Sequence, residues 1–146
     1  MTTNDNNYLR PFHLAFPVKD LEETRKFYTD ILGCKTGRTS ELWIDFNFFG
    51  HQVSAHLAPG EVKERQKNVV DGKKVPVLHS GIILEWGIWQ ELKSRLQEHN
   101  IHFFIKPYIR FEGQPGEQAT MFLLDPSGNA LEFKAFKNDT SIFATE

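Results

Sequence analysis

Cysteine is nearly missing from this sequence. Cys34 is the only one among 146 residues, which excludes an internal disulfide and a zinc site built on thiolates. An excess of charge of either sign is missing too. The 17 Lys and Arg face 19 Asp and Glu, a net charge of −2, so there is no basic stripe for nucleic acid or for an anionic membrane. No run of about eighteen apolar residues occurs, and the opening "MTTNDNNYLR" lacks the apolar stretch of an export signal. These absences point to a protein of the cytoplasm whose partners are small molecules, with no nucleic acid and no membrane. What is abundant is phenylalanine, with 13 copies, which suits a Phe-rich core or an aromatic-lined cavity.

The chain is long enough for one compact unit that buries about two-thirds of its unfolded surface. After a polar tail at 1–10, "PFHLAFPV" alternates as a strand, with Phe12, Leu14, Phe16 and Val18 on one face and His13 and Ala15 on the other. "KDLEETRKFYTDILG" reads as a helix, opened by Asp20 with Glu23 three residues on and closed by Gly33. Strands follow at 35–38, in "ELWIDFNF" and, after a turn at Gly50, in "HQVSAHL". Residues 59–75, rich in charge, Gly and Pro, read as an exposed connection.

The order then begins again. "VPVLHSGIIL" is strand-like, and "WGIWQELKSRLQEHN" places Ile88, Trp89, Leu92, Leu96 and His99 on one helical face. "IHFFIKPYIRF", "EQATMFLL" and "NALEFKAF" add three strands, the last two joined by the turn sequence "DPSG". The expected fold is α+β, with one βαβββ module at 11–58, a second at 76–137 and a tail at 138–146. Aligned by their turns, the halves set His13 opposite His79 and Gly50 opposite Gly128. The apolar sets Phe12, Leu14 and Phe16, Val53, Ala55 and Leu57, and Leu131 and Phe133 should pack the helices. His13, His56, His79 and Glu132 then lie on the opposite faces.

Two histidines and a carboxylate on separate strands make a possible 2-His-1-carboxylate cation site, in which a divalent ion would offset the cost of burying Glu132. Taken singly, each residue is more often a hydrogen-bonded or solvated group. His51 is expected to be exposed at a strand start, and His99 and His102 carry no expected chemistry. Tyr108 and Arg110 share a face beside the loop "EGQPGE". Arg110 suits a substrate carboxylate or enolate, with a surface salt bridge as the alternative.

"HLAFPVKDLEETRKFYTDILG" and "FLLDPSGNALEF" resemble the opening and the ending of the vicinal oxygen chelate superfamily, and the resemblance spans roughly residues 11–137. It implies two βαβββ modules whose sheets curl around a cavity, and a homodimer in many members. It also implies metal ligation by His13, His79 and Glu132. The segment from Pro107 to Phe136 is most similar to short predicted extradiol dioxygenases. This implies Fe(II), with Mn, Ni or Zn as alternatives, and ring opening of a substrate held through adjacent oxygens while His56 or Tyr108 handles protons. Glyoxalase I members add a fourth ligand from the last strand of the first module, where this chain has Ser54 and His56. His56 is accordingly a fourth ligand, a base or a core residue. A glyoxalase-type lyase or isomerase, and a drug- or metabolite-binding protein without chemistry, are the alternative functions.

Overall fold

The structure, a computed structural model, describes residues 9–64 and 66–145; most of the polar tail expected at 1–10 lies outside them. Strand β1 (His13–Val18) leads into α1 (Leu21–Lys26), whose N-cap Asp20 accepts a hydrogen bond from the Glu23 amide at 2.8 Å. The helix does not continue as an α-helix to Gly33. It widens to a π-turn over Phe27–Ile31, a change that lets the adjacent side chains of Phe27 and Tyr28 both reach the interior. Strands β2 (Lys35–Thr39), β3 (Trp43–Phe48) and β4 (His51–Leu57) complete a sheet of order β1-β4-β3-β2, with β1 parallel to β4.

Phe49 and Gly50, at the β3–β4 turn, have φ of 53° and 92°. The left-handed backbone at Phe49 costs about 1–2 kcal/mol. Its ring recovers part of this by packing against Phe48 and Phe133, with centroids 5.0 and 5.5 Å away.

The connection expected at 59–75 is mostly exposed but not irregular. A 3-10 turn at Pro59–Glu61 precedes a free two-stranded hairpin of β5 (Lys67–Val70) and β6 (Lys73–Pro76). The stretch "VPVLHSGIIL" is consequently broken. β6 ends at Pro76, and β7 (Ser80–Leu84) begins after His79. Helix α2 (Trp86–Glu98) buries Trp89, Leu92 and Leu96, whereas Ile88 and His99, expected on the same face, are exposed. Strands β8 (Ile105–Arg110), β9 (Gln118–Leu124) and β10 (Ala130–Phe136) form the second sheet, of order β7-β10-β9-β8, with β7 parallel to β10. Each sheet thus has one parallel pair at an edge and antiparallel pairing elsewhere, and the fold is α+β with no closed barrel.

The helix-facing sides of both sheets contribute to one core, which includes Tyr28, Phe46 and Phe48 from the first half and Leu96, Leu131 and Phe133 from the second. Two residues expected there are not buried. Phe12 precedes β1 and is 65% exposed, and Leu57 ends β4 at 36%. Phe12 lies just before the start of β1, and Leu57 is the last residue of β4.

A polar clasp joins the halves. The Asp125 carboxylate, in the "DPSG" turn, accepts from the Tyr28 hydroxyl at 3.0 Å and from Asn129 and Ser127 amides. The Asn129 side chain donates to the Pro17 carbonyl, and Ser127 Oγ accepts from the Lys19 amide. Burial raises the Asp125 pKa, with the hydrogen bonds opposing it, and burial also raises that of Tyr28. Tyr28→Phe keeps the ring stack on Phe46 and deletes one partner of a buried carboxylate. The expected loss is about 1–3 kcal/mol in urea denaturation with unchanged circular dichroism.

Candidate functional site

Strand register sets the site faces. In the first sheet Ala15 pairs with Ser54 and Ser54 with Asp45, two residues on from the pairing of His13 with Gln52. In the second, Gly81 pairs with Glu132 two residues after His79. His13 therefore corresponds to His79, and Ser54 to Glu132.

His79 and Glu132 meet. His79 Nε2 lies 3.2 Å from Glu132 Oε1, and His79 Nδ1 lies 2.7 Å from the Pro76 carbonyl oxygen. A carbonyl can only accept, so Nδ1 carries a proton. In the neutral ring Nε2 then presents a lone pair to a carboxylate oxygen that is also an acceptor. Only a proton or a cation between them resolves the contact. Glu132 Oε2 accepts from the Thr120 hydroxyl at 2.6 Å, which orients the carboxylate. The Glu132 carboxylate raises the His79 pKa above 6.5, aided by the Pro76 carbonyl. Burial pushes Glu132 upward, but hydrogen bonds from His79 and Thr120 outweigh it and hold the carboxyl below 4.5. The donor set also suits a divalent cation, with imidazole Nε2 and carboxylate oxygens each fixed by a neighbour.

His13 is not brought to this pair. It is exposed at the start of β1, and among the described residues no three His, Cys, Asp or Glu side chains are grouped to hold a metal ion. The expected convergence of three ligands is absent within one chain. The core between the sheets is made by their helix-facing sides, which leaves the faces carrying His13 and Glu132 turned away from it.

His56 stacks on Trp43, with ring centroids 6.3 Å apart, and shares its face with Pro17. His51 is not simply exposed. Its Nδ1 accepts from the Phe12 amide at 2.8 Å. Tyr108 donates to Asp71 at 2.9 Å, and burial followed by that hydrogen bond pushes its pKa up to about 12. It is therefore a hydrogen-bond donor near neutral pH. Arg110 faces Asp71, with Nε 2.6 Å from Oδ2. Between edge strands β1 and β7 lies a mainly apolar cavity of about 290 Å³, walled by Leu14, Phe16, Tyr28, Leu78, His79 and Leu131.

Sequence reasoning missed three contributors. Asp45 accepts from Ser54 at 2.5 Å, and its identical face parity to Ser54 was the available signal. Thr120 and Gly81 show only once register is known. A Cβ at Gly81 would overlap the Glu132 carbonyl oxygen, so glycine is what lets β7 lie against β10 at the carboxylate.

A family model for the Glyoxalase/Bleomycin resistance protein/Dioxygenase superfamily matches residues 10–133. The chain belongs to this superfamily. Among solved superfamily structures, a glyoxalase/bleomycin resistance protein/dioxygenase from Alicyclobacillus acidocaldarius is 33% identical. That match covers 97% of this chain and all of the other, with a TM-score of 0.77. A genomically encoded fosfomycin resistance protein from Listeria monocytogenes, 16% identical, covers 92% of this chain and 99% of its own at a TM-score of 0.67. A lactoylglutathione lyase from Agrobacterium tumefaciens, also 16% identical, covers 90% and 95% at 0.59. These two share the fold. No curated protein matches the sequence. Among the described residues no helix is long and apolar enough to cross a membrane.

Gly81→Ala tests the link between superfamily fold and site. The new methyl must force β7 away from β10, and His79 with it. Lower thermal stability together with at least a tenfold weaker affinity for a divalent cation is expected by calorimetry, since displaced ligands cost that much or more.

Proposed function

We propose that the chain is a metal-dependent enzyme that binds a small substrate through two adjacent oxygens, with extradiol-type ring cleavage as its reaction. The observation that carries this is the facing of His79 Nε2 and Glu132 Oε1 at 3.2 Å, with Pro76 and Thr120 holding the outer atoms. His79 and Glu132 would hold the cation, Fe(II) by preference over Mn, Ni or Zn, and it would supply open positions for a chelating substrate and dioxygen. The third ligand is His13 of a second copy. β1 and β7 are edge strands, and His13 and the face of Glu132 are turned away from the shared core, so a homodimer joins the two kinds of half-site.

In that joined cavity Thr120 keeps the carboxylate oriented, the Pro76 carbonyl holds the Nδ1 proton so that the neutral ring offers its Nε2 lone pair to the cation, and Arg110 draws an anionic substrate group. His56 moves the proton and Tyr108 donates a hydrogen bond. Ser54 stands where Glu132 stands in the other half and is engaged by Asp45, so β4 offers no carboxylate from its own position. This favours three protein ligands over the four of a glyoxalase-type site, which is the alternative chemistry. The reducing cytoplasm suits Fe(II) and a lone cysteine.

Two measurements test the proposal. Iron-loaded protein should consume oxygen with catechol, and Glu132→Ala should abolish both consumption and iron retention while the fold persists. Oxygen-independent turnover of a hemithioacetal would favour the glyoxalase reaction, and no cation binding would favour a binding protein. For the dimer, His13→Ala and Glu132→Ala should each lose the metal alone. Mixed after unfolding and refolding, they should regain one site per heterodimer. No recovery on mixing would contradict a site shared between copies.

A further inference from the structure

The β5–β6 hairpin pairs with neither sheet, and a lone two-stranded ribbon is at best marginally stable by itself. Its C-terminal strand ends at Pro76, whose carbonyl holds His79. Its tip is the turn Asp71–Gly72, with φ of 51° and 73°. That tip is tied to the second sheet by one carboxylate. Asp71 Oδ2 lies 2.9 Å from the Tyr108 hydroxyl and 2.6 Å from Arg110 Nε, and Lys73 Nζ lies 4.1 Å from the centre of the Tyr108 ring.

Tyr108 pairs with Thr120, and Thr120 with Lys134, two residues from Glu132. Tyr108, Arg110, Thr120 and Glu132 therefore share one face. β8 and β10 are two strand spacings apart, about 10 Å, which is the length of a small ring carrying an acid group.

The match between Asp71 and this pocket is incomplete. Arg110 Nε is buried but lacks a well-directed hydrogen-bond acceptor, the Asp71 contact being an ion pair at a poor angle. A guanidinium prefers a carboxylate placed for two parallel bonds. The turn of the hairpin restrains Asp71 from that placement. A free carboxylate has no such restraint.

We propose that Arg110 and Tyr108 form a carboxylate-binding site on the Glu132 face, that Asp71 is its built-in occupant, and that the carboxylate of a chelating substrate replaces Asp71 and frees the hairpin. The inference rests on the reading of the Glu132 face as the substrate site and adds the substrate class: small acids that also carry two adjacent oxygens. Tyr108 then donates to the substrate as it donates to Asp71, and Arg110 supplies the countercharge. The hairpin is a latch that opens to carboxylates and stays shut to neutral ligands.

The test compares 3,4-dihydroxybenzoate with catechol, which have the same adjacent oxygens and differ by the carboxylate. By calorimetry on Mn(II)-loaded full-length protein under argon, the acid should bind at least about tenfold more tightly, as expected of a charge-assisted contact. Asp71→Asn keeps a residue that tolerates the left-handed turn and removes the competing charge. It should tighten binding of the acid several-fold and leave catechol unchanged. Arg110→Gln should erase the preference.

A second readout needs neither metal nor adjacent oxygens. Benzoate should raise amide hydrogen exchange at 67–76 in wild-type protein and not in Arg110→Gln. Equal binding of acid and catechol, weaker binding of the acid by Asp71→Asn, or no change in exchange with benzoate would overturn the latch. Failure of catechol and acid alike to bind the metal-loaded protein, with the benzoate response intact, would instead sink the metal-chelation reading.

Discussion

The two sheets depend on one buried carboxylate. Asp125 is 4% exposed and gathers the hydroxyl of Tyr28, from 97 residues earlier, with the amides of its own turn. Such a group costs free energy unless its lone pairs are met, and the Tyr28 hydroxyl supplies the donor that the turn itself lacks. The partners of Asp125, Asn129 and Ser127, in turn hold Pro17 and Lys19 at the end of β1. Polar satisfaction thereby fixes how β1 lies against the β9–β10 turn, and the ring contacts of Phe48 and Phe49 with Phe133 fill the apolar remainder.

This arrangement has a consequence for chemistry. Once the helix-facing sides of both sheets are spent on the common core, the opposite faces are turned away from it. One carries His13, His56, Asp45 and Ser54, and the other carries His79, Glu132, Thr120, Tyr108 and Arg110. On the second, two acceptor atoms confront each other because Pro76 fixes one and Thr120 orients the other. A protein that only needed stability would gain by replacing such a contact with apolar groups. The contact is suited to seating a charge, and the nearby pairing of Asp71 with Arg110 keeps the remaining charge on that face balanced.

Much of this is legible in the sequence. Asp20 with Glu23 marked the first helix, Gly33 its end, and "DPSG" the last turn, because each rests on local backbone chemistry. His79 and Glu132 could be set on the faces away from the helices because strand parity follows from alternation. The hairpin was hidden under its lysines, although "VVDGKK" carries the Asp-Gly turn and flanking β-branched residues that mark one. Tyr28 with Asp125, Gly81 under Glu132, and Asp71 on Arg110 were beyond reach. Each joins residues far apart in the chain, and no periodicity records such contacts. Repeat symmetry specifies which residues of the two halves are equivalent, not which ones touch.

The central claim is that the His79–Glu132 contact is part of a cation site. Anomalous X-ray scattering from crystals grown with Mn(II) tests it most directly. The account predicts a peak about 2.0–2.2 Å from His79 Nε2 and a Glu132 oxygen, with a His13 imidazole completing the set and Nδ1 of His79 still on the Pro76 carbonyl. A saturating cation bound elsewhere, with Nε2 and the carboxylate left in direct contact, would contradict it.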